Sequence, residues 1–195
     1  MKKVLCTTAL LLTASINCHG DMIGAKVGYD YWKTANHSDS HSVYAQVEHP
    51  FPLVPNLALQ ANKIDSHKLK LNSYDVSGYY EILDNDNLSV DLGLGLRRLD
   101  SGRMYDQSFT DTLPMVTADM TLFPGSSLSF YGKINAGKSN DSTITDASAG
   151  VRFTLLAGIS LQASYRSYEL DLDGTKGIND KETIRGPQIG LDIDF

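Results

Sequence analysis

Between residues 88 and 97 every second position is leucine or valine: Leu88, Val90, Leu92, Leu94 and Leu96 alternate with Ser89, Asp91, Gly93, Gly95 and Arg97. A helix would scatter these five side chains around its surface, whereas a strand puts all of them on one face. The alternation recurs. Ile23, Ala25, Val27, Tyr29 and Tyr31 alternate with Gly24, Lys26, Gly28 and Asp30, and Leu128, Phe130, Ile134 and Ala136 with Ser129, Tyr131, Lys133 and Asn135. Ala149, Val151, Phe153 and Leu155 oppose Gly150, Arg152 and Thr154, and Ile159, Leu161, Ala163 and Tyr165 oppose Ser160, Gln162, Ser164 and Arg166. Ile189, Leu191, Ile193 and Phe195 oppose Gln188, Gly190, Asp192 and Asp194. Weaker strand patterns cover residues 42–49, 56–65, 73–83 and 112–123. The result is ten segments of roughly nine to thirteen residues, near the length of a tilted strand that crosses a bilayer.

The links between segments also alternate. Short, turn-rich links fall at residues 49–55, 84–87, 124–126 and 156–158, and longer polar links at 33–41, 66–72, 100–111, 138–146 and 172–181. A chain that meanders up and down collects its short turns at one end and its long loops at the other. The expected fold is therefore all-β: a closed antiparallel up-and-down transmembrane β-barrel of ten strands, or eight if weak segments merge. A soluble sandwich alternates too, with its apolar face inward. The charged face opposite the apolar one favours the membrane. So do aromatics near strand ends: Tyr29, Tyr31, Trp32, Tyr165 and Tyr168 beside long loops, and Phe51, Phe123 and Phe195 beside short turns.

Composition sharpens the location. Met1-Lys2-Lys3, the apolar run from Val4 to Ala14 and the small or polar residues up to Gly20 have the three-part layout of a secretory signal peptide. Residues 1–20 are expected to be removed, leaving 21–195 as the barrel. A lipoprotein cut before Cys18 is the rival, but Ser15-Ile16-Asn17 is not Leu-rich. Removal at Gly20 takes both cysteines, Cys6 and Cys18, together with Lys2 and Lys3; 15 basic and 23 acidic residues remain, a charge of −8. The mature chain thus has no disulfide, no Cys nucleophile and no Cys metal site. Its acidity, with no basic cluster, excludes a nucleic-acid partner.

The most specific motif is C-terminal. Gln188, Gly190, Ile193 and Phe195 occupy the places of the assembly signal of bacterial outer-membrane barrels, in which a final strand presents its edge and aromatic end to the assembly machinery before pairing with the first strand. The chain also resembles the Gly-Gly outer-membrane protein family, a group of small uncharacterised proteobacterial integral outer-membrane proteins. The resemblance is carried by Asp21-Met22-Ile23-Gly24 leading to Tyr31-Trp32, by Glu48-His49-Pro50 with Pro52, and by Pro55-Asn56-Leu57. It continues in Tyr79-Tyr80-Glu81-Ile82-Leu83-Asp84-Asn85 and in Leu92-Gly93-Leu94 followed by Arg97-Arg98, although no Gly-Gly pair is present. It implies a bacterial outer-membrane location and a barrel, with no catalytic residues.

Candidate chemistry is sparse. His37-Ser38-Asp39-Ser40-His41 holds two imidazoles and a carboxylate, but on a polar loop nothing holds their spacing. Asp171 and Asp173 before Gly174 lack the later ligands of a calcium loop, and Asp84-Asn85-Asp86 suits a tight turn. No catalytic, cofactor or metal site is expected. Charges enclosed in a narrow barrel must be paired or hydrated, which points to a lumen ion-pair network of Lys26, Asp30, Asp91, Arg97, Asp119, Lys133, Arg152, Arg166, Asp192 and Asp194. At this strand number the lumen should be filled by side chains. The expected role is non-enzymatic, in envelope structure or surface contacts; a narrow channel for cations or small polar solutes and a rim-located hydrolase are the alternatives. Expected partners are outer-membrane lipid, the barrel assembly machinery and periplasmic chaperones.

Overall fold

The computed structural model describes residues 23–34, 39–51, 53–156, 158–175 and 177–195. Residues 1–20, the expected signal sequence, with both cysteines, and His37 and Ser38 lie outside the described residues. Ten strands follow in order: β1 Gly24–Lys33, β2 Asp39–Glu48, β3 Asn56–Asp65, β4 Leu69–Asp84, β5 Leu88–Met104, β6 Gln107–Leu122, β7 Leu128–Lys138, β8 Ser142–Leu156, β9 Ile159–Thr175 and β10 Ile178–Asp194. Each pairs antiparallel with its neighbour in sequence, and β10 pairs with β1 to close the barrel. The count is ten rather than eight.

The closing seam uses the C-terminal motif. Gly190 stands opposite Asp30, Gln188 opposite Trp32 and Ile193 opposite Val27. The Phe195 amide donates to the Ala25 carbonyl at 2.8 Å, so the seam is paired to its last residue. Gly190 is required by close approach: a Cβ there would collide with the Asp30 carboxylate, which lies over it.

The strands exceed the sequence expectation. β5, β9 and β10 each have 17 residues, whereas a tilted strand crosses hydrocarbon in about 9–11. The expected long loops are largely strand. β5 runs to Met104 and β6 restarts at Gln107; β7 ends at Lys138 and β8 starts at Ser142; β9 ends at Thr175 and β10 starts at Ile178. These stretches look like loops because their outward residues are polar: Arg98 and Arg103, Thr110 and Thr112, Asp171 and Asp173 all face out. A bulge between Leu99 and Gly102 hid the alternation further. Phe109 packs its ring over Gly102, where a Cβ would not fit.

Two stacked halves result. In the turn half, near the short turns, apolar residues face out on every strand, with Leu94 70% and Ile189 61% exposed. The inward positions there are polar. In the loop half the assignment reverses: Leu69, Leu71, Leu99, Met104, Phe109, Leu113, Ile144, Leu170, Leu172 and Ile184 point inward and are buried together. The strands keep their pleat while the apolar residues change parity, from Leu96 to Leu99 on β5, from Val116 to Leu113 on β6 and from Ile189 to Ile184 on β10. Trp32 and Tyr168, expected in an outer aromatic girdle, are fully buried inside this plug. The outer face beside it carries water-facing pairs such as Lys181 Nζ with Glu169 Oε1, at 2.6 Å.

Candidate functional site

The inward positions of the turn half enclose a cavity of about 610 Å³. Its lining runs from residues at the short turns, including Asp84, Pro124 and Gly158, down to Asp146 and Arg166. The lumen is therefore hollow here rather than filled. It opens at the turn end and stops halfway up the barrel.

The floor is a hydrogen-bonded septum. Arg97 donates through Nε and Nη2 to both carboxylate oxygens of Asp75, with Nε to Oδ1 at 2.8 Å. It also donates to Asp146 Oδ2 from Nη1 at 3.3 Å and from Nη2 at 3.2 Å. Arg166 approaches Asp146 side-on, with Nε to Oδ1 and Nη2 to Oδ2 both at 2.8 Å. Its remaining donors reach Ser42 Oγ at 3.0 Å and Asn62 Oδ1 at 3.1 Å. The Arg166 guanidinium stacks 4.9 Å from the Trp32 ring, whose Nε1 donates to the Gly186 carbonyl at 3.1 Å. All four charged groups are at most 5% exposed. Two arginines and two aspartates make the layer neutral, and bidentate geometry lets the buried charges compensate one another. Above it sits the apolar plug. Water meets a paired ionic layer and then hydrocarbon side chains.

The residues expected to line the lumen take distinct places. Lys26 pairs with Asp194 at 3.1 Å, Lys133 with Asp119 at 3.6 Å and Arg152 with Asp192 at 3.5 Å. Arg97 and Arg166 pair instead with Asp75 and Asp146. Asp30 lies buried over Gly190. Asp91 faces Glu81 across β4–β5 and Asp119 across β5–β6, and its Oδ1 has no hydrogen-bond partner. Sequence reasoning passed over Asp75, Asp146, Asn62 and Trp32. Asp146 stood in an expected loop and Trp32 in an expected girdle; the signal that could have found them is the parity change on β1 and β8.

The other candidate residues point elsewhere. Asp39 and His41 are on the outer face of β2. There the Tyr31 hydroxyl donates to Asp39 Oδ1 at 2.6 Å, and the Tyr29 hydroxyl lies 2.6 Å from His41 Nδ1. Asn85 Oδ1 accepts from the Asn87 and Leu88 amides, which makes 84–87 a side-chain-capped turn. Among the described residues no three His, Cys, Asp or Glu side chains are grouped to hold a metal ion.

No family model and no curated protein matches the chain. Among solved structures it is similar to the N-terminal β-barrel domain of Pseudomonas aeruginosa OprF, at 11% identity and a TM-score of 0.39, covering 90% of this chain and 100% of that one. It is similar to neisserial surface protein A at 14% identity and a TM-score of 0.37, covering 91% and 100%. For the NanC porin the values are 12% and 0.41, covering 88% and 99%. These superpositions are loose, so the architecture rests on the strand pairing itself.

Proposed function

We propose that the chain is an integral, non-enzymatic protein of a bacterial outer membrane, with its turns toward the periplasm and its loop half outside. The observation that carries this reading is the apolar belt around the turn half. A soluble monomer seldom exposes a contiguous apolar patch above about 300–600 Å², because water drives such surfaces together. A belt that circles ten closed strands, with polar groups inside it, matches hydrocarbon outside and water inside. Export by residues 1–20, outer-membrane lipid as partner and delivery by periplasmic chaperones to the barrel assembly machinery belong to the same reading. So does the resemblance to the Gly-Gly outer-membrane family.

The septum supports a structural or surface-contact role over a conducting one. A cation passing through would have to part Arg97 from Asp75 and Asp146 and then enter an apolar plug, so single-channel steps are not expected in planar bilayers. The test is solubility and migration. The full chain should need detergent and run faster on gels unheated than heated. A chain that stays soluble without detergent and shows no heat-dependent shift sinks the reading.

A further inference from the structure

The cavity wall is unevenly charged. Among the described lining residues are nine carboxylates and four cations. Each cation is already engaged: Lys26 by Asp194, Lys133 by Asp119, Arg152 by Asp192 and Arg166 by Asp146. Glu48, Glu81 and Asp91 have no cation within ion-pair distance among the described residues. Glu48 accepts only from a neutral donor, the Tyr79 hydroxyl at 3.0 Å.

Two further observations say what is missing. First, Glu81, Asp91 and Asp119 form a row on three adjacent strands. Strands lie about 4.8 Å apart, so the row spans about 10 Å of the wall, and among the described residues no three carboxylates are grouped to hold one metal ion. Second, deeper in the cavity, Asp192 is 2% exposed and its Oδ1 has no hydrogen-bond donor. Gln188 Oε1, on a side chain 7% exposed and four residues away on the same face, lacks one too. Both residues line the cavity and flank Gly190, over which the Asp30 carboxylate lies. Buried acceptors without donors are costly. The wall therefore presents negative charge spread along its mouth and, at depth, two unsatisfied acceptors beside one unsatisfied donor, Arg152 Nε. An ammonium group answers both needs, since it brings a positive charge and three N–H donors and no acceptor. Several ammonium groups on a flexible aliphatic chain would answer them in a row. The volume lies within the roughly 300–1,000 Å³ usual for small-molecule sites.

We propose that the blind cavity binds a small aliphatic polyamine, which enters from the turn end. The proposal rests on the membrane reading only for the side from which the ligand comes.

The probe is spermidine, titrated calorimetrically at low salt into the full chain folded in detergent micelles. Saturable binding is expected, weakened about tenfold or more by Asp91→Asn, because a hydrogen bond to a charged group contributes about 1.5–3 kcal/mol and 1.4 kcal/mol is tenfold. Glu81→Gln at the mouth should weaken it comparably, which keeps the test sharp if Asp192→Asn fails to fold. Glu169→Gln on the outer face should leave binding unchanged. No saturable binding by protein that shows the heat-dependent gel shift overturns the proposal. Binding indifferent to both mouth variants does so too, and so does stoichiometric Mg²⁺ binding that spermidine does not displace. Protein lacking the gel shift and soluble without detergent instead fails the membrane reading.

Discussion

On the turn side of β5, Leu92, Leu94 and Leu96 face out and Asp91 faces in; a few residues on, Leu99 and Met104 face in and Arg98 and Arg103 face out. The same pleat thus serves two solvents. In the turn half, on the proposed membrane reading, the outside is apolar and the inside wet, so a side chain gains little by turning inward. In the loop half the outside is wet, and each inward Leu, Met or Phe is removed from water, at about 1.5–3 kcal/mol apiece. The halves can share strands because alternation commits a residue to a face without committing that face to a polarity. At the boundary the septum joins a hydrated lumen to a dry core, and its charges must be satisfied from within the layer.

That contrast can be broken from several directions. The largest effect should come at the boundary. Asp146→Ala leaves Arg166 facing Ser42 and Asn62 alone and takes one of the two carboxylates from Arg97, a loss of about 3–5 kcal/mol. Urea unfolding in detergent should show it, with the gel shift reporting whether the barrel survives. Next, Leu113→Ala inside the plug should cost about 2–5 kcal/mol by leaving a cavity that nothing refills. Leu94→Ala on the belt should cost less, because lipid chains close over the site; equal losses would mean that the plug is not a packed core. Third, Val116→Lys on the belt should cost about 2–4 kcal/mol in a bilayer. Thr112→Lys, two turns of the pleat nearer the loops on the same face of β6, should stay within about 0.5 kcal/mol. A similar cost at both positions would erase the boundary between belt and water.

The smallest effect is a titration on the wet outer face. The hydrogen bond from Lys181 holds the Glu169 carboxyl below its ordinary range, and the same bond raises the Lys181 ammonium above its own. The carboxylate contribution is therefore present above the ordinary glutamate value of about 4.3 and is lost as pH falls through the lowered one. The ammonium contribution is present below about 10.4 and is lost as pH rises through the raised one. In Glu169→Gln, NMR titration should return Lys181 to the ordinary lysine range with little change in unfolding midpoint.

Much of the turn half was legible in the sequence. Leu88 to Leu96 and Ile189 to Phe195 alternate cleanly, as the proposed hydrocarbon surroundings demand of every second position, and β3 was placed at Asn56–Asp65 as the structure has it. The loop half was not legible in the same way. Its inward residues are apolar but its outward ones are Arg, Thr, Asp and Lys, so residues 100–111 and 172–181 carry the composition of loops. The parity change cannot be seen by anyone counting polar residues; it appears only when Leu96 and Leu99, or Tyr165 and Tyr168, are asked to share one strand. The septum was out of reach for a related reason. Arg97 and Arg166 announce buried charge, but their partners are chosen by strand register: Asp75 stands opposite Arg97 on β4, and Asp146 lies on β8 beside the β9 of Arg166 and meets Arg97 only across the lumen. The same holds for Gly190, whose motif role was readable while its duty beneath Asp30 was not.

The length of the strands beyond the belt has a consequence for attack by enzymes. Proteases nick exposed loop tips that can be drawn out and threaded through a cleft. At the loop end, residues 66–68, 105–106 and 139–141 are all that separate β3 from β4, β5 from β6 and β7 from β8. The first of these is tied down further, by the Ser66 amide to the Leu69 carbonyl and by the Leu69 amide to Ser66 Oγ. Extending the wall has replaced cleavable loops with laddered strands, and these three tips offer a digesting enzyme almost no slack to pull.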